Sequence, residues 1–503
     1  MNSRRDFVGN MATGLVAALG AHSKVLTAFP GEPDEGPPGK KGTLEWYLKL
    51  LDYWGPPPEA ARRFYEAAFK ILAAKPDATY AELASNGEVR KLCAESGITH
   101  LGGPMLGAVT PESASVWLRT LRPAKVEVLV RVNGGVKRYG PVESTLASDL
   151  TAVVPVTGLK PGTSTPYRLL IDGERIAVPE GAAIVTPPEH SKLRTARIAF
   201  GSCPHVWGLG NSKQAEVIRK RGPVALLVYG DVSAQDNGNH RGLARVGYLV
   251  RESWPAWRNL VASVPVFVTW DDHDYFRDDG WGIPPGYTAD DQARTWEVFR
   301  HAWNNPSYGF NDERRGVFLR TRLGPCDVIM LDNRYFRKKG SFLGEEQMTW
   351  LEAQLLDCKG PFIILSCGTM WSDYVSGGKD SWGTYDREGR ERIFSLIERH
   401  RIPGVLLLSG DRHGARVFRI PRSSGFAFYE FGPASLGGRI GAPAARPEWR
   451  DFQLFGMTGK YAFGEFTFDI SLADPEVTFR LVGEDNSILH ELTLKRSQLT
   501  PPR

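Results

Sequence analysis

Val264-Pro265-Val266-Phe267-Val268-Thr269-Trp270-Asp271-Asp272-His273-Asp274 is the stretch on which the reading of this chain turns. A short apolar, β-branched run bounded by Pro265 reads as a buried strand, and it ends in carboxylates and an imidazole. Consecutive ionisable groups at the end of a strand cost too much to desolvate unless they share a cation or hydrogen bonds. In open α/β sheets the C-terminal ends of the strands are where ligands sit. The pattern recurs: Ile198-Ala199-Phe200 runs into Gly201-Ser202-Cys203-Pro204-His205, Ala225 to Tyr229 into Gly230-Asp231, and Val405 to Ser409 into Gly410-Asp411-Arg412-His413. Laid side by side, such ends converge on the mixed N, O and S donors that transition metals accept. A polynuclear metal centre is the simplest common explanation.

The 503 residues leave room for two or three domains, and 42% hydrophobic with 24% charged residues is ordinary soluble composition. Lys plus Arg (62) barely exceeds Asp plus Glu (57), so the net charge of +5 gives no case for a nucleic-acid partner and leaves small acidic substrates open. Ser3-Arg4-Arg5-Asp6-Phe7, ahead of the uncharged Val8 to Ala21, looks like a twin-arginine export signal over residues 1–23, with an ordinary amphipathic terminus as the plainer alternative. The apolar stretch is too short to span a bilayer. The expectation is a protein exported by the twin-arginine machinery to the periplasm or beyond the cell, with no stable membrane span after processing. Of five cysteines, Cys203 is the candidate functional thiolate, Cys326 and Cys358 read as buried small hydrophobes, and a disulfide among Cys93, Cys358 and Cys367 stays open.

Trp46, Tyr47, Leu50 and Leu51, then Phe64, Phe69, Ile71 and Leu72, recur at helical spacing on either side of Pro56-Pro57-Pro58. They predict a helical leader over residues 42–98, with another short helix at Ala81 to Ala94. Short β-rich runs at Ser113 to Arg119, Lys125 to Arg131, Thr151 to Val156 and Tyr167 to Asp172 predict a small antiparallel sandwich over residues 99–188. Its turn Leu159-Lys160-Pro161-Gly162-Thr163 resembles one in fibronectin type III domains. Over residues 195–496 strands alternate with helical patterns at Arg245 to Leu260, Asp290 to Asn304, Glu345 to Leu356 and Asp386 to His400, and strands dominate again from Tyr461. The predicted class is α/β (α+β), a four-layer αββα sandwich of two sheets between helices, preceded by the fibronectin-like sandwich and the leader.

A dinuclear site needs a carboxylate able to bridge, and Asp231 is the candidate. Cys203 and His413 would hold one metal with it, Asp272 and Asp411 the other. His205 either ligates the first metal or faces solvent. Such a pair can activate water and neutralise charge in a phosphoryl displacement, and His273, flanked by carboxylates, suits a general acid for the leaving oxygen. Asp271 reads equally as a partner of the ligands or a helix cap. Arg334, Arg337 and Arg412 either grip phosphate or serve as ion-pair partners, with Arg334 the candidate that steadies substrate.

Gly-Ser-Cys (201 to 203), Tyr-Gly-Asp (229 to 231), Trp-Asp-Asp-His-Asp (270 to 274), Leu-Asp-Asn-Arg (331 to 334), Leu-Gly-Glu-Glu-Gln-Met-Thr-Trp-Leu (343 to 351) and Leu-Ser-Gly-Asp-Arg-His (408 to 413) stand in an order and spacing that resemble the PhoD-like alkaline phosphatases of the calcineurin-like metallophosphoesterase superfamily. The resemblance implies an exported hydrolase of phosphate monoesters or diesters that uses iron or another transition metal, often with calcium. It implies Cys203, Asp231, Asp272, Asp411 and His413 as metal ligands and His273 beside the leaving group. Tyr248 is the nearest match to a tyrosine that can bind iron in that family. The chain departs from the pattern at Ala234, where an aromatic is usual, and at Arg277-Asp278-Asp279, where an asparagine is usual. A phospholipase D-like phosphodiesterase and a degenerate, noncatalytic metal- or phosphate-binding protein are the alternatives.

Overall fold

A computed structural model describes residues 36–503 apart from 133, 190–193, 234, 311–314, 373–380, 434 and 442–450. The expected export signal and Ala234 lie outside the described residues. In the leader, helices Leu44–Leu51 and Glu59–Ala73 flank the prolines as the periodicity predicts. The single helix expected at 81–94 is two, Tyr80–Ser85 and Gly87–Ser96. Asn86 divides them: its backbone is extended, and its side chain accepts from Val89 N at 3.1 Å to cap the second.

The runs predicted as early strands form Ser113–Arg119, Ala124–Val132, Thr151–Thr157 and Ser164–Ile171. Gly102–Gly107 and Gly135–Ser144 are strands that the sequence hides, the first rich in glycine and the second largely exposed, so neither shows apolar alternation. One sheet runs Gly102–Gly107, Ser113–Arg119, Thr151–Thr157; the other runs Gly135–Ser144, Ala124–Val132, Ser164–Ile171, Glu174–Ile176.

The larger unit is built on two further sheets. The first is ordered Val266–Thr269, Leu226–Tyr229, Thr195–Gly201, Ala462–Asp469, Glu476–Gly483, Ile488–Lys495; the second Leu319–Leu323, Cys326–Met330, Phe362–Cys367, Val405–Ser409, Ala427–Gly432, Ala415–Pro421, Gln453–Met457. Side-chain alternation along the strands makes the layers. Phe200, Leu227 and Phe267 share one core with Val328, Ile364 and Leu406 of the second sheet, and Phe362 meets Phe468 across the gap at 5.0 Å. The alternate residues Ala199, Val228 and Val268 pack toward the leader and helix Arg241–Ser253, whereas Ile329, Leu365 and Leu407 pack under helices Gly344–Asp357 and Arg387–Arg399. The expected four layers are therefore present. The helix expected over 245–260 breaks at Trp254, because Pro255 forces its predecessor into an extended conformation (ψ 122°).

Thr195–Gly201, Leu226–Tyr229 and Val266–Thr269 are parallel neighbours, and so are Cys326–Met330, Phe362–Cys367 and Val405–Ser409, so each triplet ends along one edge. A bridge between Ser202 and Ser435 ties the two edges together. All five cysteines are free, with Cys326 buried and Cys358 only half-buried. Among the described residues no helix is long and apolar enough to cross a membrane.

Candidate metal centre

The loops that leave the parallel strands interlock through their backbones. Cys203 N donates to Gly230 O at 3.0 Å, His205 N to Asp231 O at 2.8 Å, Ser435 N to His413 O at 3.0 Å and Leu436 N to Ser202 O at 3.0 Å. The approach is close enough that a Cβ on Gly230, whose φ is +102°, would stand 2.5 Å from the Asp271 Cβ. Cys203, His205, Asp231, Asp411 and His413 all have left-handed backbones, at φ 54°, 47°, 55°, 69° and 54°. Each such residue carries strain of about 1–3 kcal/mol that only the surrounding structure can hold, and strain of this kind clusters at functional sites.

Cys203, His205, Asp231 and His413 bring one donor atom each to within 4.8 Å of one another. His205 Nδ1 lies 2.9 Å from Gln235 Oε1, so Nδ1 carries the hydrogen and the Nε2 lone pair points to His413 Nε2, 3.0 Å away. Burial and the neighbouring cations keep both rings neutral, His205 well below the ordinary histidine range and His413 down to about 3. Burial, with Asp231 alongside, pushes the Cys203 thiol well up. Asp231 is itself buried, and its Oδ1 has no hydrogen-bond partner among the described residues. A thiol, two neutral imidazoles and a carboxylate with an unused oxygen fit a cation.

Asp231 also belongs to a second group, with Asp272 and His273. Burial raises its carboxyl well above the usual range, and Asp272, Asp271 and Asp274 add to the rise while His273 opposes it. Asp272 is raised by burial but pulled to about 2 overall by Arg334, His273 and the Asp279 amide, which donates to its Oδ2 at 2.7 Å. His273 Nδ1 rests 2.7 Å from Asp236 Oδ1, and Asp278 Oδ1 stands 3.7 Å from its Nε2. Burial would lower this imidazole, yet Asp231, Asp272 and Asp236 together raise it well above the ordinary value. The Asp278 amide donates to Asp236 at 2.8 Å, so the two acids that depart from the family pattern use their backbones to hold Asp236 and Asp272 in place.

Three further expected site residues are placed as follows. Arg334 is fully buried, its Nε bonded to Asp271 Oδ1 and its Nη2 3.5 Å from Asp272 Oδ1, so it positions both carboxylates. Tyr248 is buried edge-on to Trp303, with the Arg251 guanidinium 5.3 Å over its ring. Asp411 falls in neither donor group; its carboxylate meets Arg412 Nε at 3.0 Å. Asp271 accepts from Asn333 Nδ2 at 3.1 Å as well as from Arg334, and it also stands at the N-cap of the short helix Asp272–Tyr275, its amide donating to Asp274 Oδ2 at 3.3 Å. The sequence reading missed Gln235, Asp236 and Asp274. Asp274 accepts from Val232 N at 2.8 Å and Ser233 N at 3.0 Å, latching the loop after Asp231 to the turn after Trp270.

Residues 245–444 match the family model described as PhoD-like phosphatase, and residues 99–190 match one described as Domain of unknown function (DUF7800). No curated protein matches the chain. Among solved structures, the chain is similar to one titled "Structure of PhoD" (TM-score 0.64, 16% identity, 80% of this chain and 91% of that one). It is also similar to the purple acid phosphatase PPD1 of yellow lupin, Lupinus luteus (TM-score 0.58, 13% identity, 78% of this chain and 74% of that one). Both likenesses are of fold. Residues 245–444 are a region of the PhoD-like phosphatase family, and the chain around them shares the fold of these two structures.

Proposed function

We propose that the protein is an exported, metal-dependent phosphoesterase that hydrolyses small phosphate monoesters, diesters or both. The observation that carries this reading is Asp231, shared between a group of thiol and imidazole donors and a group richer in carboxylate, to which the PhoD-like region contributes Asp272, His273 and His413. Cys203, His205, Asp231 and His413 would hold iron or another borderline transition metal; Asp231 and Asp272 offer oxygen to calcium or another hard cation. When bound, such a centre supplies activated water and neutralises charge as the phosphoryl group transfers.

The chain's own residues do the rest. Asp236 holds the His273 ring through Nδ1, leaving Nε2 to give a proton to the departing oxygen. Arg334 keeps Asp271 and Asp272 in register. Arg439, Lys41 and Arg412 surround His413 with positive charge, which favours an anionic substrate at the mouth of the site. Export rests on the arginine pair at positions 4 and 5.

The test is hydrolysis of p-nitrophenyl phosphate and bis(p-nitrophenyl) phosphate by protein loaded with iron and calcium, with and without chelator. The reading expects chelator-sensitive turnover of at least one ester and its loss in Asp231→Asn. Loaded protein inert toward both would sink it.

A further inference from the structure

The leader does more than cover a sheet. A Cβ on Gly36 would stand 2.9 Å from the Trp207 indole, Trp46 meets the same ring edge-on at 6.0 Å, and Trp54 Nε1 donates to the Trp207 carbonyl. Trp207 in turn stacks on His205, with centroids 5.1 Å apart and planes 16° from parallel. On the other loop, a Cβ on Gly42 would lie 2.5 Å from Asp236 O, and Tyr47 Oη donates to Asn237 Oδ1 at 2.9 Å. The segment from Gly36 to Trp54 therefore braces both loops that place the donor groups.

Lys41 lies within that segment. Its Nζ is 5.4 Å from the centre of the Trp207 ring, the side chain is half-buried, and among the described residues no carboxylate pairs with it. Its charge is close enough to disfavour protonation of both His205 and His413. The loop that carries it is already fixed: Trp46 Nε1 donates to Pro37 O at 3.0 Å, Lys49 Nζ to Pro38 O at 3.1 Å and Thr43 Oγ1 to Lys40 O at 2.7 Å. A cation whose charge reaches both histidines of a cation-binding cluster is repelled by a bound cation there unless an anion lies between.

We propose that Lys41 binds a phosphoryl oxygen of the substrate at the mouth of the metal centre, which makes the leader part of the substrate site. The proposal rests on the phosphoesterase reading. An ammonium on a four-carbon stem, with three donors and a braced backbone, suits a tetrahedral oxyanion that must enter and leave.

The experiment compares wild type, Lys41→Met and Lys41→Arg for kcat and KM on p-nitrophenyl phosphate, for inhibition by inorganic phosphate, and for metal content. Lys41→Met should raise KM and the phosphate Ki about tenfold, as expected for a lost charge-assisted hydrogen bond, with kcat and metal content within about twofold of wild type. Lys41→Arg should recover most of the loss. Unchanged KM and Ki, loss of metal, or an arginine variant as weak as the methionine one would overturn the proposal. The phosphoesterase reading fails separately, as wild-type protein without turnover, and takes the Lys41 proposal with it.

Discussion

His273 is held on one nitrogen by Asp236 at 2.7 Å while its ring belongs to the Asp231–Asp272 group. If it is the proton donor rather than a ligand, His273→Ala lowers kcat by about 10²–10⁴ and leaves metal content intact. Activity and metal analysis on one preparation check this, and metal lost with the imidazole would count against the role. The protonation states of the metal-free site give a second expectation. Burial raises both Cys203 and Asp231, and the Cys203 thiol, raised from an already alkaline value, holds at neutral pH a proton that a cation must displace, whereas His205 and His413 are already neutral. Metal binding should therefore release protons and weaken as pH falls. Titration calorimetry in two buffers of different ionisation enthalpy reads the number released; none released would contradict the assigned states. Residue type and position after a strand were enough to pick out Cys203, Asp231, Asp272 and His413. They did not show that Arg334 pairs with Asp271, because an arginine after a strand can face a cleft or pair with another strand's acid, and only the folded contact of Asn333 and Arg334 with Asp271 reveals it. Nor did a polar loop show that Gln235 and Asp236 were the pair facing two histidines.

The elements were legible where burial imposes one pattern. Continuous apolar strands that stop in Gly-Asp or Trp-Asp-Asp-His announce themselves, since both faces of a central strand are covered. The exposed strand Gly135–Ser144 and the break at Trp254 were not read, the first because its face is solvated and the second because Pro255 at the first turn of a helix looks like the middle of a longer one. The leader's aromatics read correctly as core, but their partner was hidden until the fold placed Trp207 against them. Trp46 is 1% exposed, so Trp46→Ala should destabilise the protein by about 3–5 kcal/mol and loosen the ring stacked on His205. Denaturant unfolding and metal retention on dilution measure the two effects; lost stability with unaltered metal retention would show that the brace does not reach the site.

Across the whole molecule, the leader, the small sandwich and the larger unit meet at one buried carboxylate. Asp149 lies 2.7 Å from Arg245 Nε and 3.7 Å from Arg119 Nη1, while Arg245 also donates to Ala78 O and the Arg119 guanidinium lies 4.0 Å over the Tyr80 ring. Burial raises Asp149 but the two arginines outweigh it and hold its carboxyl below the usual range. Asp149→Ala strands two guanidinium groups in the interior and should destabilise the protein by about 3–5 kcal/mol. The sign with pH follows: a depressed carboxyl adds stability above its unfolded value and loses it as pH falls through the folded one, so the gap between wild type and variant should close in acid. Denaturant midpoints across pH 3–7 test this, and a gap that stays constant would contradict it.

In the proposed centre one carboxylate, Asp231, would serve two cations. The most direct test is metal per chain, by elemental analysis of protein reconstituted with iron and calcium, for wild type beside Asp231→Asn and Cys203→Ala. Such a centre predicts two tightly held ions in wild type, loss of both without Asp231, and loss of the transition metal alone without Cys203. Asp231→Asn protein that keeps both ions, or wild type that holds none, would contradict it.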